Sequence, residues 1–334
     1  MLGLTSKVTD IVRKLQMRRF LSDLTRVEML APVDTEAGRR DVAIGFLTCH
    51  GHLPLMMLAA KSFFHFSGIV CPMYIWNDGS LTSRDRGWIR RLFPSALILS
   101  RSDLDLEQLA GYPLTASLAR GVLKPYERYA PALKICGPLL SPGVPDRVIL
   151  SDSDAFFFDW PEAIVEWLDD PQGGSRYIAA WSGKDNLGEL QLKDLYRRLN
   201  ISSHPRANSG LLLLHRHIFN LELIERILEW YQERPYIWDM EQTLYGILMA
   251  CTNSTPLSQD EYVLCHRKYS AICHHFFTSV IIDEPVVRMK ILNLLKYIED
   301  SEKRNKPPVS VAQRKHEQKG QLIGRGTQQA RCSR

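Results

Sequence analysis

The chain has 334 residues, of which 45% are hydrophobic, enough to bury a substantial core as one large domain or two. The net charge is only +5, with much of the excess at the two ends, which argues against a nucleic-acid protein carrying a basic stripe on its folded part. The seven cysteines lie singly at 49, 71, 136, 251, 265, 273 and 332, so reduced thiols in a cytosolic setting are expected.

Residues 4–30 read as a basic amphipathic helix. Val8, Ile11, Val12, Leu15, Phe20, Leu21 and Leu24 fall near one side, and Lys7, Arg13, Lys14, Arg18 and Arg19 line the other. Those charges also interrupt any leader-like apolar stretch, and no uncharged apolar run reaches the roughly 18 residues a membrane span needs. A cytoplasmic protein is expected, with residues 1–30 either packed on the folded body or in peripheral contact with anionic lipid at the inner face of the membrane. Residues 32–40 read as a polar linker, so 1–40 is set apart from a domain spanning 41–300.

The core opens with an apolar strand over 42–48, followed by a helix over 54–66 that stops at Ser67-Gly68. A second strand over 70–76 closes on the turn Asn77-Asp78-Gly79-Ser80, and a helix runs from Leu81 to Leu92 before Pro94. A third strand over 96–99 and a helix over 103–109 complete a βαβαβ order. That order predicts a parallel, right-handed Rossmann-like half with ligands at the carboxyl ends of its strands. No Gly-x-Gly-x-x-Gly follows the first strand and no Gly-x₄-Gly-Lys-Ser occurs, which lowers dinucleotide enzymes and P-loop NTPases.

A helix over 126–140 then leads into the strand Val148-Ile149-Leu150, which delivers Asp152 and Asp154 and returns to Phe156-Phe157-Phe158. On an extended chain the i, i+2 spacing puts both carboxylates on one side. At about 4 Å they repel by about 4 kcal/mol at an effective dielectric of about 20. A hard cation such as Mg²⁺ or Mn²⁺ would offset that repulsion, and the three aromatics would anchor the strand exit. A strand ending in an Asx turn accounts for the same residues without a metal.

Downstream, helices are expected over 161–168 with Pro161 at N1, over 187–200, over 221–231 and over 239–249. A strand is expected over 177–181, and Asn208-Ser209-Gly210 reads as a turn before a strand over 211–214. Residues 271–280 close the core. From about Lys303 the composition is that of a basic disordered tail, assigned to 301–334. Cys265-His266 with Cys273-His274 imitates a zinc set, but its seven-residue gap argues against one. The sequons at Asn200 and Asn253 carry little weight without a secretion signal.

Taken in order, several short stretches resemble the nucleotide-sugar glycosyltransferases of the GT-A fold, nearest to glycosyltransferase family 8 and its bacterial relatives. They are Ile44-Gly45-Phe46-Leu47-Thr48, Ile75-Trp76-Asn77-Asp78-Gly79-Ser80, Ala132-Leu133-Lys134, Leu150-Ser151-Asp152-Ser153-Asp154, Asn208-Ser209-Gly210, Glu241-Gln242-Thr243 and His275-Phe276. The resemblance covers roughly residues 41–285. It implies an α/β fold with a mixed, mostly parallel central sheet flanked by helices, in a single catalytic domain. It also implies that Asp152, Asp154 and His275 hold Mn²⁺ or Mg²⁺, His274 being the alternative to His275.

By the same resemblance Thr48 and Asp78 border the base and ribose, and Lys134 and Ser153 join Asp152 at the donor. Asn208, Glu241 and Gln242 face the transferred sugar and the reaction centre. Glu241 stands where family members often carry Asp. Ile281-Ile282-Asp283-Glu284 replaces an expected basic residue after the late histidine, moving phosphate binding to Arg267, Lys268 or Arg288.

The implied activity is transfer of a hexose from a nucleotide sugar, UDP-linked, to a glycan, lipid or protein acceptor. A nucleotidyltransferase would need a glycine-rich basic loop near the first strand, which is absent. A binding-only relative would be expected to lose the acidic pair.

Overall fold

The computed structural model describes residues 2–179, 187–264 and 271–304. The chain opens with α1 (Leu2–Leu24) and a 3₁₀ turn over Thr25–Met29. The Rossmann-like half follows as β1 (Val42–Thr48), α2 (Leu53–Ser67), β2 (Met73–Asn77), α3 (Ser83–Leu92) and β3 (Leu97–Leu99). Then come α4 (Pro113–Arg120), α5 (Ala132–Leu140), β4 (Arg147–Asp152) and β5 (Ala155–Phe157). The second half holds α6 (Glu162–Asp169), β6 (Ser175–Ala179), α7 (Glu189–Leu199), β7 (Ala207–His215), α8 (Leu221–Gln232) and α9 (Met240–Ala250). Short strands β8 (Ser254–Pro256), β9 (Tyr262–Leu264) and β10 (Cys273–His275) precede α10 (Thr278–Asp283) and α11 (Pro285–Lys303).

Seven strands form one mixed sheet in the order β3-β2-β1-β4-β7-β6-β8. Pairings among β3, β2, β1 and β4 are parallel, β7 runs antiparallel to both β4 and β6, and β6 pairs parallel with β8. This is the mixed, mostly parallel α/β sheet expected from the sequence. A second sheet, β5-β10-β9, pairs β10 antiparallel to β5, with His275 opposite Ala155 and His274 opposite Phe156.

Apolar side chains fill both faces of the large sheet. One layer includes α2 and α11; the other includes α5, α8 and α9. Helix α2 is buried nearly all round because β1, β5, α1 and α11 all pack on it. Its one cation, Lys61, is satisfied by Glu302 at 2.7 Å and by the Ala31 carbonyl at 2.8 Å. Between β1 and α5 lies the Trp76 indole, whose Nε1–H donates to Ser141 Oγ at 2.9 Å. Gly45 and Gly137 make room for it: a Cβ on either would meet the ring at 2.4 or 2.3 Å.

Several local expectations need correction. The helix expected over 126–140 begins only at Ala132, because Arg128 sits in the left-handed region at φ 58° and interrupts any helix through it. In place of the helix expected over 103–109 stand two 3₁₀ turns, Arg101–Asp103 and Leu106–Leu109, since Asp103 and Asp105 turn their carboxylates onto nearby backbone N–H groups. Pro161 is the residue before α6 and not its first. Asn208-Ser209-Gly210 is no turn but the first part of β7, held by pairing to β6 across a bulge at Tyr177/Ile178. The expected end of the strand at 180–181 lies outside the described residues.

Three helices were not foreseen: α4, the short α10 and α11. In α4, Pro113 sits in the first turn and Gly121 caps the end at φ 74°. In α11, Pro285 starts a helix that buries Ile291, Leu294, Leu295 and Ile298 at helical spacing. Helix α1 packs on α2, α10 and α11. Its apolar residues are divided: Phe20 and Leu24 are buried, while Val12 and Leu15 are exposed. Among the described residues no helix is long and apolar enough to cross a membrane.

Gly137→Ala is expected to destabilise the protein by about 1–3 kcal/mol through overpacking against Trp76. Urea unfolding should show a lower midpoint with an unchanged slope; an unaltered midpoint would mean the indole has room to move.

Candidate metal and donor site

Asp152 ends β4, and Asp154 lies in the two-residue link to β5. The link is fastened at its middle, where Ser153 Oγ–H donates to the Leu47 carbonyl at 2.9 Å and lies 3.3 Å from Thr48 Oγ1. Asp154 is fixed from the other side: its carbonyl accepts the Phe276 N–H at 2.9 Å, and its Oδ2 accepts the Thr278 hydroxyl at 3.3 Å. Burial of Phe156 and Phe157 in β5, paired to β10, brings His275 to the same point. His275 Nε2 is 3.4 Å from Asp152 Oδ2 and 3.3 Å from Asp154 Oδ1.

The question of which histidine faces the acids is answered by strand alternation. His275 points at them, whereas His274 points to α11, with Lys290 Nζ 2.8 Å from its Nε2. The tautomer of His275 is also set. Asn208 Oδ1 already accepts the Gly210 N–H at 2.8 Å, so the 2.8 Å contact to His275 Nδ1 has Nδ1–H as donor. Nε2 is left for the acidic pair. Only glycine fits at 210, because a Cβ there would lie 2.0 Å from His275 Nδ1.

On the other face of the sheet, Lys134 of α5 reaches the same carboxylate. Its Nζ is 2.5 Å from Asp152 Oδ1, 3.3 Å from Glu241 Oε1 and 3.0 Å from Ser209 Oγ. Ser209 Oγ–H donates to Glu241 Oε1 at 2.5 Å, and the Tyr245 hydroxyl donates to the Lys134 carbonyl at 2.7 Å. Lys134 is therefore buried and paired, not snorkelling along an apolar helix.

Burial opposes charge on every one of these groups, and the pairing decides the outcome. For Asp152 burial would raise the carboxyl, but Lys134 and His275 hold it well below the usual carboxylate range. Burial would lower Lys134, yet Asp152 and Glu241 keep its ammonium above the ordinary value. Glu241 stays raised, since burial outweighs the help of Lys134 and Ser209. Burial would lower His275 as well, and the two aspartates reverse that and carry it up to about 9.

The donor atoms suit a divalent cation. Asp152, Asp154 and His275 are the one group of three such residues, among those described, whose ligand atoms all lie within 4.8 Å of one another. Adjacent ligands on an octahedral ion with bonds of about 2.1 Å stand about 3 Å apart, close to the separations observed here. Two carboxylates and one imidazole suit Mn²⁺ or Mg²⁺, and the nitrogen favours Mn²⁺.

The remaining residues singled out from the sequence are dispersed. Thr48 is buried at the carboxyl end of β1, beside Ser153. Asp78 is exposed after β2, and its Oδ1 accepts the Ser80 N–H and hydroxyl in a local turn. Gln242 is half-buried in the first turn of α9, next to Glu241. Arg288 caps α10 through the Ile281 and Ile282 carbonyls. Arg267 and Lys268 lie outside the described residues, as do Cys265 and His266 of the zinc alternative. Ser209 was quoted only within Asn208-Ser209-Gly210 and given no role of its own, and Thr278 and Tyr245 were not singled out; reading 207–215 as a strand would have placed Ser209 on the face opposite Asn208.

No protein-family model matches the sequence, and no curated protein does. Solved structures do resemble it. The galactosyltransferase LgtC, in complex with donor and acceptor sugar analogs, is 11% identical over 75% of this chain and 95% of that one, with a TM-score of 0.46. Mouse xyloside xylosyltransferase 1 is 10% identical over 72% of this chain and 98% of that one, at 0.47. The glycosyltransferase GlyE of Streptococcus pneumoniae is 12% identical over 81% and 66%, at 0.48. These neighbours are glycosyltransferases. What the site here can do follows from its own side chains.

Two outcomes are expected of the metal-free protein. His275 titrates near 9 when folded against an ordinary 6.5, so the stability it adds is complete below about 6.5 and lost as pH rises through 9. Denaturant titrations in EDTA at both ends of that window should show the loss, and His275→Gln should abolish it. Lys134→Met should cost about 3–5 kcal/mol by stranding buried carboxylate, and adding Glu241→Gln should recover part of that loss. Strict additivity of the two changes would disprove the pairing.

Proposed function

We propose that this chain is a metal-dependent glycosyltransferase that moves a hexose from a nucleotide sugar, UDP-linked, to an acceptor of glycan, lipid or protein chemistry. The observation that carries the reading is the convergence of Asp152, Asp154 and His275 at the carboxyl end of β4, with Lys134 and Glu241 adjoining. Ligands of open α/β sheets sit beyond those strand ends. Residues 41–300 form the catalytic body in this reading, with 1–40 ahead of it and α1 packed on α2, α10 and α11.

A divalent ion, when bound, supplies positive charge to the departing nucleoside diphosphate. The chain's own residues prepare for it. Asp152 and Asp154 would hold it through carboxylate oxygens and His275 through its deprotonated Nε2. Asn208 is a positioning residue: it holds the imidazole by Nδ1–H. Lys134 holds the second oxygen of Asp152 and adds fixed positive charge close to the diphosphate. Glu241 is kept beside Lys134 by Ser209, where its carboxylate can offset the oxocarbenium-like charge of the sugar. Gln242, half-buried beside it, supplies a carboxamide for the sugar hydroxyls. Thr48 and Asp78, at the ends of β1 and β2, face the nucleoside.

Transfer or hydrolysis of UDP-hexose should require Mn²⁺ or Mg²⁺, stop in EDTA, and fall at least about a hundredfold in Asp154→Ala. Thermal shift with UDP-glucose, UDP-galactose, UDP-N-acetylglucosamine and GDP-mannose, each with Mn²⁺, identifies the donor. A ligand at a hundred times Kd stabilises by about 2.7 kcal/mol. Full activity in EDTA would eliminate the metal role. Metal-dependent donor binding without turnover would favour a binding-only protein, and release of diphosphate from a nucleoside triphosphate with a sugar phosphate would favour a nucleotidyltransferase.

A further inference from the structure

A cavity opens beside Lys290 and Phe158, the two side chains that meet His274 on its face of β10. It has a volume of about 570 Å³ and lies between the end of α2, the exit of β5 and α11. That size falls within the roughly 300–1,000 Å³ typical of small-molecule pockets. Its walls are largely apolar, with Phe66, Phe158, Met289, Leu294 and Tyr297 around Lys290. Phe66 and Tyr297 stack with ring planes 4° apart and centroids separated by 5.8 Å. Met289 and Tyr297 nevertheless remain 62% and 56% exposed, so the apolar wall is open to solvent.

Lys290 sets the chemistry. Its ammonium lies 2.8 Å from His274 Nε2 and 4.5 Å above the Phe158 ring, and neither partner is an anion. Among the described residues it makes no ion pair. Asp159 also lines the cavity, but it is exposed and its Oδ1 accepts the Trp160 N–H at 2.7 Å. Burial pushes the Lys290 ammonium down to about 8. A half-buried cation in the wall of a largely apolar cavity is complementary to a molecule with an anionic head and a hydrocarbon body.

We propose that this cavity binds a single-chain fatty carboxylate, its head on Lys290 Nζ and its chain along Phe66, Leu294 and Tyr297. The recess is concave, which suits one monomeric chain, whereas a bilayer surface would meet a protruding apolar face. This proposal does not depend on the donor-site reading. The occupant would touch Phe158 and Lys290, and Lys290 reaches His274 on the side of β10 opposite His275.

Calorimetric titration of the full chain with laurate below its micellar concentration tests the assignment, with dodecanol as the uncharged comparison. Laurate is expected to bind at one site, and Lys290→Met to weaken it by about tenfold or more while changing dodecanol by less than about twofold. Lys290→Arg should keep laurate binding within about threefold, and its melting temperature reports whether the fold is intact. No saturable laurate binding, or equal laurate affinity in Lys290→Met, would overturn the proposal. Binding to phosphatidylglycerol vesicles without binding of monomeric laurate would overturn it in favour of a membrane surface. Loss of metal-dependent transfer with laurate binding retained would instead remove the glycosyltransferase reading alone.

Discussion

The Asp152 carboxylate is the point on which the site depends, because each of its oxygens is held by a different layer of the protein. Oδ1 faces Lys134 from α5 on one side of the sheet, and Oδ2 faces His275 from β10 on the other. A buried carboxylate survives only when its lost hydration is replaced by charge or hydrogen bonds. Here two cationic groups from separate layers provide that replacement. Three carboxylates, at 152, 154 and 241, share one ammonium and one imidazole. A divalent ion in place of the imidazole proton would bring the ionised cluster to neutrality.

Strand alternation then separates two environments within a single tripeptide. In β10, His275 enters the acidic cluster and is pushed up to about 9, whereas burial beside Lys290 pushes its neighbour His274 down to about 3. The two imidazoles differ only in which face of one strand they occupy. On the His275 side, β7 contributes with the same economy. Asn208 and Gly210 turn toward the imidazole, the first as acceptor and the second as empty space, while Ser209 turns the other way to Lys134 and Glu241. A single strand thereby ties both layers to the acid pair.

Much of this was legible in advance, for identifiable reasons. The βαβαβ opening is written in apolar runs that alternate between strand and helix lengths, and the acidic pair stands out because two carboxylates after a buried strand need a counter-charge. Asn208-Ser209-Gly210 was misread because three turn-forming residues lie in a row. Their pairing to β6 overrides that local preference. The helix expected over 126–140 was drawn too long at its start for a different reason: its composition favours helix, but the left-handed Arg128 keeps it from beginning before Ala132.

By itself the sequence determined which residue types were available: an acidic pair at strand spacing, a lysine in an apolar helix, and two adjacent late histidines. Local pattern carries that much because it depends only on chain periodicity and on the cost of burying charge. The tertiary structure alone decided which histidine faces the acids, that Lys134 pairs with Asp152 and Glu241, and that Asn208 orients the imidazole. Those contacts join residues separated by 67 to 107 positions in some cases. Their geometry is set by the register of β7, β5 and β10, which only the packed sheets specify.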